Sequence, residues 1–139
     1  MNVLLDTNVL LRLVSDSDTI NDSFKRDVEA GLDSGDVAVS AVTFMETTRL
    51  HHHRRIDLGC HPATWRRERL RSGLREIPID GNLAVESVLL MNSGFHRDPA
   101  DQLIVATAMR TGMDLATFDS AIHDWASRTH LIALRDPTR

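Results

Sequence analysis

Short apolar runs alternate along the chain with longer segments in which apolar residues recur at helical spacing. Asn2-Val3-Leu4-Leu5 is apolar up to an abrupt stop at Asp6, and Val37-Ala38-Val39 and Met113 to Thr117 have the same character. Unbroken apolar runs of this length read as strands buried on both faces, as in a parallel sheet. Ile77-Pro78-Ile79 is a weaker strand, placed at an edge by its proline. Leu131 to Leu134 is the last.

Between these runs the spacing predicts helices. Thr7 or Asn8 caps Val9 to Val14, and Phe24, Val28 and Leu32 mark one over 21–32. Thr43 and Glu46 form a capping-box pattern opening helix 44–55, with Glu46 reaching back to the Thr43 amide or pointing towards the strand ends. His61-Pro62 begins another. In helix 83–92, Leu83, Val85, Val88, Leu89 and Met91 predict a buried element. Asp98 followed by Pro99 is an N-cap and first-turn pair, with Asp101 in that turn, and the helix runs to Gly112. Asp119 opens a short helix to Trp125. This alternation predicts one α/β domain over 1–139, with a central, mainly parallel sheet of about four to five strands flanked by helices. Residues 50–75 read as a two-helix arm beside the active face, and Arg135 to Arg139 as a frayed tail.

Composition changes this picture little. No apolar run approaches the ~18 residues of a membrane span, and the N-terminus lacks the basic flank of a signal peptide. A lone cysteine, Cys60, fits a reducing compartment, so a cytoplasmic location away from membranes is expected. The net charge of −4 gives no global sign of nucleic-acid binding. Its distribution does: arginines crowd between Arg49 and Arg75, with His51, His52, His53 and His61 among them, while acids concentrate elsewhere. A basic segment beside an acidic centre suits a polyanion handled at a metal site, although a solvated helix face gives the same pattern. Three adjacent histidines on a helix point about 100° apart and do not converge on one ion.

The chemistry lies in the acids. Asp6, Glu46, Asp101 and Asp119 come from separate segments, each at an expected strand end or first helical turn. That placement gathers distant residues at one sheet edge, where ligands bind in parallel α/β folds. Packed carboxylates repel one another, and a divalent cation removes the penalty. All-oxygen donors favour Mg²⁺, with Mn²⁺ also suitable, and such a pocket without a nucleotide-binding loop fits phosphodiester hydrolysis.

Leu4-Leu5-Asp6-Thr7-Asn8, then Ser40-x-x-Thr43-x-x-Glu46, Asp98-Pro-Ala-Asp101-Gln-Leu-Ile-Val-Ala-Thr-Ala108 and Thr117-Phe-Asp119 together resemble the ordered signature of PIN-domain ribonucleases. The small size and the Asp-Pro-Ala-Asp form are similar to the VapC toxins of VapBC toxin–antitoxin pairs. The resemblance spans residues 3 to about 125. It implies a PIN fold, a four-acid pocket (Asp6, Glu46, Asp101, Asp119) for Mg²⁺ or Mn²⁺, and cleavage of single-stranded regions of RNA such as tRNA or rRNA, inhibiting translation and growth. It also implies a VapB-type antitoxin covering the groove and a toxin homodimer. Thr7, Asn8 and Thr117 match its polar supports, and Asp98 an extra acid assigned to the helix cap. Gln102 stands where an arginine is frequent, which would alter charge near the substrate, and the His51–Arg55 run matches nothing in the pattern. A competing reading is a non-catalytic module on the same fold, binding RNA or protein through the arginines. A haloacid-dehalogenase-like phosphatase wants a second aspartate where Asn8 stands, and Cys60 lacks the elbow of a cysteine hydrolase.

Overall fold

Val3–Leu5 (β1) lies between Val37–Ser40 (β2) and Asp114–Ala116 (β4). Arg75–Ile77 (β3) and Leu134–Arg135 (β5) complete the sheet at its edges in the order β3-β2-β1-β4-β5. All four pairings are parallel. The computed structural model describes residues 1–139, with helices Thr7–Val14 (α1), Asp22–Ser34 (α2), Val42–His52 (α3), Pro62–Arg71 (α4), Gly81–Leu89 (α5), Pro99–Thr111 (α6) and Ser120–Thr129 (α7). A 3₁₀ turn, Leu90–Ser93, extends α5.

The apolar runs are buried on both faces because side chains alternate across a strand. Leu4, Ala38 and Leu115 join α5, α6 and α7 in one core, which includes Ile104, Ile122 and Trp125. Val3, Leu5, Val37, Val39 and Ala116 join α1 to α4 in the other, which includes Phe24, Phe44 and Trp65. No helix is long and apolar enough to cross a membrane.

Several expectations need correction. Residues 50–75 do not form an arm: Trp65 is 4% exposed and packs edge-on against Phe44, so α4 is part of a core layer. Its arginines are largely engaged within the domain. Arg66 pairs with Glu76 through two 2.7 Å hydrogen bonds, and Arg69 lies over the Trp65 ring. Gly73 follows α4 with φ of 105°, and a Cβ there would collide with the Leu32 carbonyl oxygen; only glycine allows this approach to α2. The tail is tied down. Pro137 is buried and its carbonyl accepts from the Asn21 amide at 2.9 Å, while Arg135 pairs with Asp27 and Asp114. The expected strand 77–79 lies earlier, at 75–77, leaving Pro78 outside the ladder. The expected strand 131–134 contracts to Leu134–Arg135.

Helix α5 departs furthest. Leu83 and the following Leu90 are buried, but Val85, Val88 and Leu89 are exposed. An element apolar on every side shows no stripe, so periodicity cannot separate its buried face from its bare one.

Candidate active site

The connection from β1 leads to β2 and β3 on one side, whereas β4 and β5 lie on the other. The reversal falls beside β1, where such sheets open a crevice at the carboxyl ends of their strands. Asp6 follows β1 directly, and Thr117 to Asp119 follow β4. Helix α3 starts after β2, and α6 runs back into β4, so the first turns of both lie at this edge. A cavity of about 500 Å³ opens there, lined by Asp6, Thr7, Asn8, Glu46, Arg49, Leu50, Asp101, Phe118 and Asp119. The four acids picked out from sequence thus face one space.

Each is anchored differently. Asp6 is 7% exposed. Its Oδ1 accepts from the Thr7 amide at 2.8 Å and its Oδ2 from the Thr117 hydroxyl at 2.7 Å. Asp6, rather than Thr7 or Asn8, is therefore the N-cap of α1, and it caps the helix while lining the cavity. The Thr117 hydroxyl also accepts from the Asp119 amide at 3.0 Å, linking the acids across the β1–β4 crevice. Asp119 caps α7, its Oδ1 accepting from the amides of Ala121 and Ile122.

Glu46 corrects the capping-box expectation. Helix α3 begins at Val42 with no side-chain cap, so Thr43 lies inside it and is fully buried. The Thr7 hydroxyl donates to Glu46 Oε1 at 2.5 Å, and the Thr43 hydroxyl, 3.0 Å from that of Thr7, supplies the proton to its free lone pair. The side chain of Glu46 is thereby drawn to the strand edge. Asn8 is exposed, lines the cavity and makes no hydrogen bond to the four acids, unlike Thr7 and Thr117.

Asp98 caps α6, its Oδ1 accepting from the Asp101 amide at 3.0 Å. Asp101 projects from this turn, and its Oδ2 lies 3.3 Å from His96 Nε2. Ligand atoms of His96, Asp101 and Asp119 all lie within 4.8 Å of one another, a spacing that one cation can bridge. Sequence reasoning misses His96 because it stands outside the acidic motifs; the only signal is its nearness to Asp98. Gln102 is 3% exposed and its Nε2 donates to the His96 carbonyl at 2.9 Å. The residue expected to alter charge near the substrate instead turns inward and fastens the loop before α6.

Burial pushes the carboxyls of Asp6 and Glu46 up, partly offset by their threonine hydrogen bonds; the nearby acids add to the rise. Asp101 is pushed up to about 7 by burial and then by the charges of Asp98, Asp6, Asp119 and Glu46. Acids that resist ionising in each other's company form a site short of positive charge. Arg49 is the one basic side chain lining the cavity. The four carboxylates, with His96 beside Asp101, make a mainly oxygen donor set that fits a hard divalent cation.

Comparison with known proteins agrees with the geometry. The chain is 31% identical over 117 residues to Ribonuclease VapC22 of Mycobacterium tuberculosis, covering 84% of this chain and 86% of that one. FitAcB from Neisseria gonorrhoeae superposes with a TM-score of 0.60 at 25% identity, covering 97% of both chains. DNA-bound VapBC from Salmonella typhimurium shares the fold, with a TM-score of 0.64 at 20% identity and 98% of both chains covered. The PIN domain family model matches residues 3–127, and the chain belongs to that family.

Proposed function

We propose that the protein is a divalent-metal-dependent endoribonuclease, the toxin of a VapBC-type pair, acting in the cytoplasm on single-stranded regions of RNA. The observation that carries this reading is the convergence of Asp6, Glu46, Asp101 and Asp119 on one open cavity at the sheet's switch point. A relative called a ribonuclease, a neighbour solved as a toxin–antitoxin complex and another solved as VapBC support it.

Asp6, Asp101 and Asp119 would hold Mg²⁺ or Mn²⁺, with Glu46 facing the same space. When bound, the ion supplies Lewis acidity towards a phosphodiester and makes hydroxide available near neutral pH. The chain's own residues do the rest. Thr117 holds Asp6 and the Asp119 backbone in fixed relation, so the two carboxylates do not reorganise as charge develops. Thr7 keeps Glu46 turned inward, where it can accept a proton from an attacking water. Arg49 offsets repulsion between phosphate and the acids. A VapB-type antitoxin would silence the site by covering this groove.

The test is incubation of purified protein with end-labelled tRNA and rRNA fragments in Mg²⁺, Mn²⁺ or chelator. Internal cuts in unpaired segments that require the ion are expected; cleavage insensitive to chelator, or none in either ion, contradicts the reading.

The proposed homodimer has its own support in the bare apolar surface of α5 and its neighbours. Val85 (62% exposed), Val88 (51%), Leu89 (54%), Met109 (40%) and Leu131 (45%) belong to this part of the fold, where Leu89, Met109 and Leu131 line one depression. Apolar patches of this kind usually mark an interface, here with a second copy. Val88→Asp combined with Leu89→Asp is expected to give a monomer in sedimentation where the unaltered protein is a dimer, with the same circular dichroism. An unchanged dimer places the interface elsewhere.

A further inference from the structure

Three of the four acids in the cavity have their carboxylates held by hydrogen bonds from the body of the fold. Asp6 is held by the Thr7 amide and Thr117 hydroxyl, Glu46 by Thr7, and Asp119 by the amides of α7. The Asp98 cap takes the backbone amide of Asp101 and leaves its carboxylate free. The one polar side chain that reaches that carboxylate is His96, its Nε2 3.3 Å from Oδ2.

His96 is itself fixed from three directions. Its ring packs on Phe95 with centroids 4.3 Å apart, and its carbonyl accepts from the buried amide of Gln102 at 2.9 Å. Its Nδ1 accepts from the Asp98 backbone amide at 3.3 Å. That last bond decides the tautomer. A nitrogen that accepts carries no proton, so the neutral ring bears its hydrogen on Nε2, facing Asp101. A ring protonated there presents its N–H edge 3.3 Å from the carboxylate, within reach of a donated bond after a small turn of either side chain, and has no lone pair at Nε2 for a metal.

We propose that His96 is a positioning residue: its Nε2–H holds the Asp101 carboxylate towards Asp119 and so raises the affinity of the site for its divalent ion. Gln102 and Asp98 hold His96 in that pose, which gives the uncharged Gln102 a role in the site without contact with substrate. Partners of this kind orient metal-binding carboxylates, and their removal typically weakens metal binding about 10–100-fold. The proposal rests on the metal-dependent reading above, and its first test needs no metal.

In the metal-free protein, long-range ¹H–¹⁵N spectra should show neutral His96 as the Nε2–H tautomer. The Nδ1–H tautomer would overturn the proposal, whatever the activity. The second test is calorimetric titration of Mn²⁺ into the unaltered protein, His96→Ala and His96→Gln, the glutamine amide supplying a donor without an imidazole. His96→Ala should bind Mn²⁺ about tenfold or more weakly, and its half-maximal Mn²⁺ concentration for RNA cleavage should rise in parallel. His96→Gln should recover most of the loss, with thermal midpoints showing that both variants are folded. Unchanged binding by His96→Ala, or a loss that glutamine does not relieve, would overturn the proposal. So would directly bonded nitrogen in pulsed electron paramagnetic resonance of the Mn²⁺-loaded protein, since it would make His96 a ligand. If the unaltered protein binds no Mn²⁺, the nuclease reading fails and the raised ion affinity with it, while the tautomer result still decides whether His96 donates to Asp101.

Discussion

Asp6→Asn is expected to lower the rate of RNA cleavage at saturating Mn²⁺ by about a hundredfold to a thousandfold, the range seen when one preorganised electrostatic group is removed from an active site. The substitution barely disturbs the fold. The asparagine carbonyl oxygen still accepts from the Thr7 amide, as Oδ1 does now, and α1 keeps its cap. On the other side an NH₂ replaces Oδ2. The Thr117 hydroxyl, which already accepts from the Asp119 amide, must turn to take a second donor. One hydroxyl proton loses its partner, a penalty of about 1 kcal/mol. Against this stands the removal of a buried carboxylate that burial and its acidic neighbours already disfavour. The thermal midpoint should therefore hold or rise as activity collapses. Cleavage within tenfold of the unaltered protein would show that Asp6 is a helix cap alone.

The second large effect concerns stability, pH and metal together. In the folded protein without metal, Asp101 takes up its proton at about 7, against an ordinary 3.8. A carboxyl whose folded value is raised binds its proton more tightly in the native state. Its contribution is complete below the unfolded value near 4 and is lost as pH rises to about 7. For Asp101 alone the rise corresponds to roughly 4 kcal/mol at most. Asp6 and Glu46 shift in the same direction and add to the loss. Glu76, Asp80 and Asp136 are shifted downwards by their hydrogen-bond partners, and their stabilisation is lost only as pH falls below the ordinary carboxylate range. Between pH 5 and 7.5 the acids of the cavity thus set the sign. Urea denaturation without metal should show stability falling across that interval, with a shallower fall for Asp101→Asn. Saturating Mn²⁺, which binds the folded state, should flatten the fall in the unaltered protein. Parallel curves for the two proteins would mean that Asp101 ionises as freely as an exposed acid.

These predictions draw on residues of different legibility. The four acids could be read because each stands at a junction that the apolar pattern itself marks, such as the end of Leu4-Leu5 at Asp6 or the Asp98-Pro99 cap before Asp101. The parallel sheet followed from runs too continuous for a one-sided strand. What could not be read depends on contacts across the fold. The Thr43–Glu46 spacing has the form of a capping box, yet α3 starts two residues earlier, at Val42, and Thr7 from another element takes Glu46. The role of Gln102 depends on a backbone carbonyl six residues back, to which no side-chain pattern points. The segment holding α4 looked like an arm beside the active face because the partner of Arg66, Glu76 of β3, and that of Trp65, Phe44 of α3, become neighbours only after folding. The face of α5 left bare could not be chosen from a segment apolar all round.

The central claim, that Asp6, Asp101 and Asp119 jointly hold the catalytic ion, is tested most directly by locating that ion. Crystals grown with Mn²⁺ and measured near its absorption edge should show an anomalous peak bounded by these three carboxylates, and Asp101→Asn crystals should lose it or show it weakened. A peak among His51 to His53 with none at the strand edge, or no peak at saturating Mn²⁺, would contradict the account.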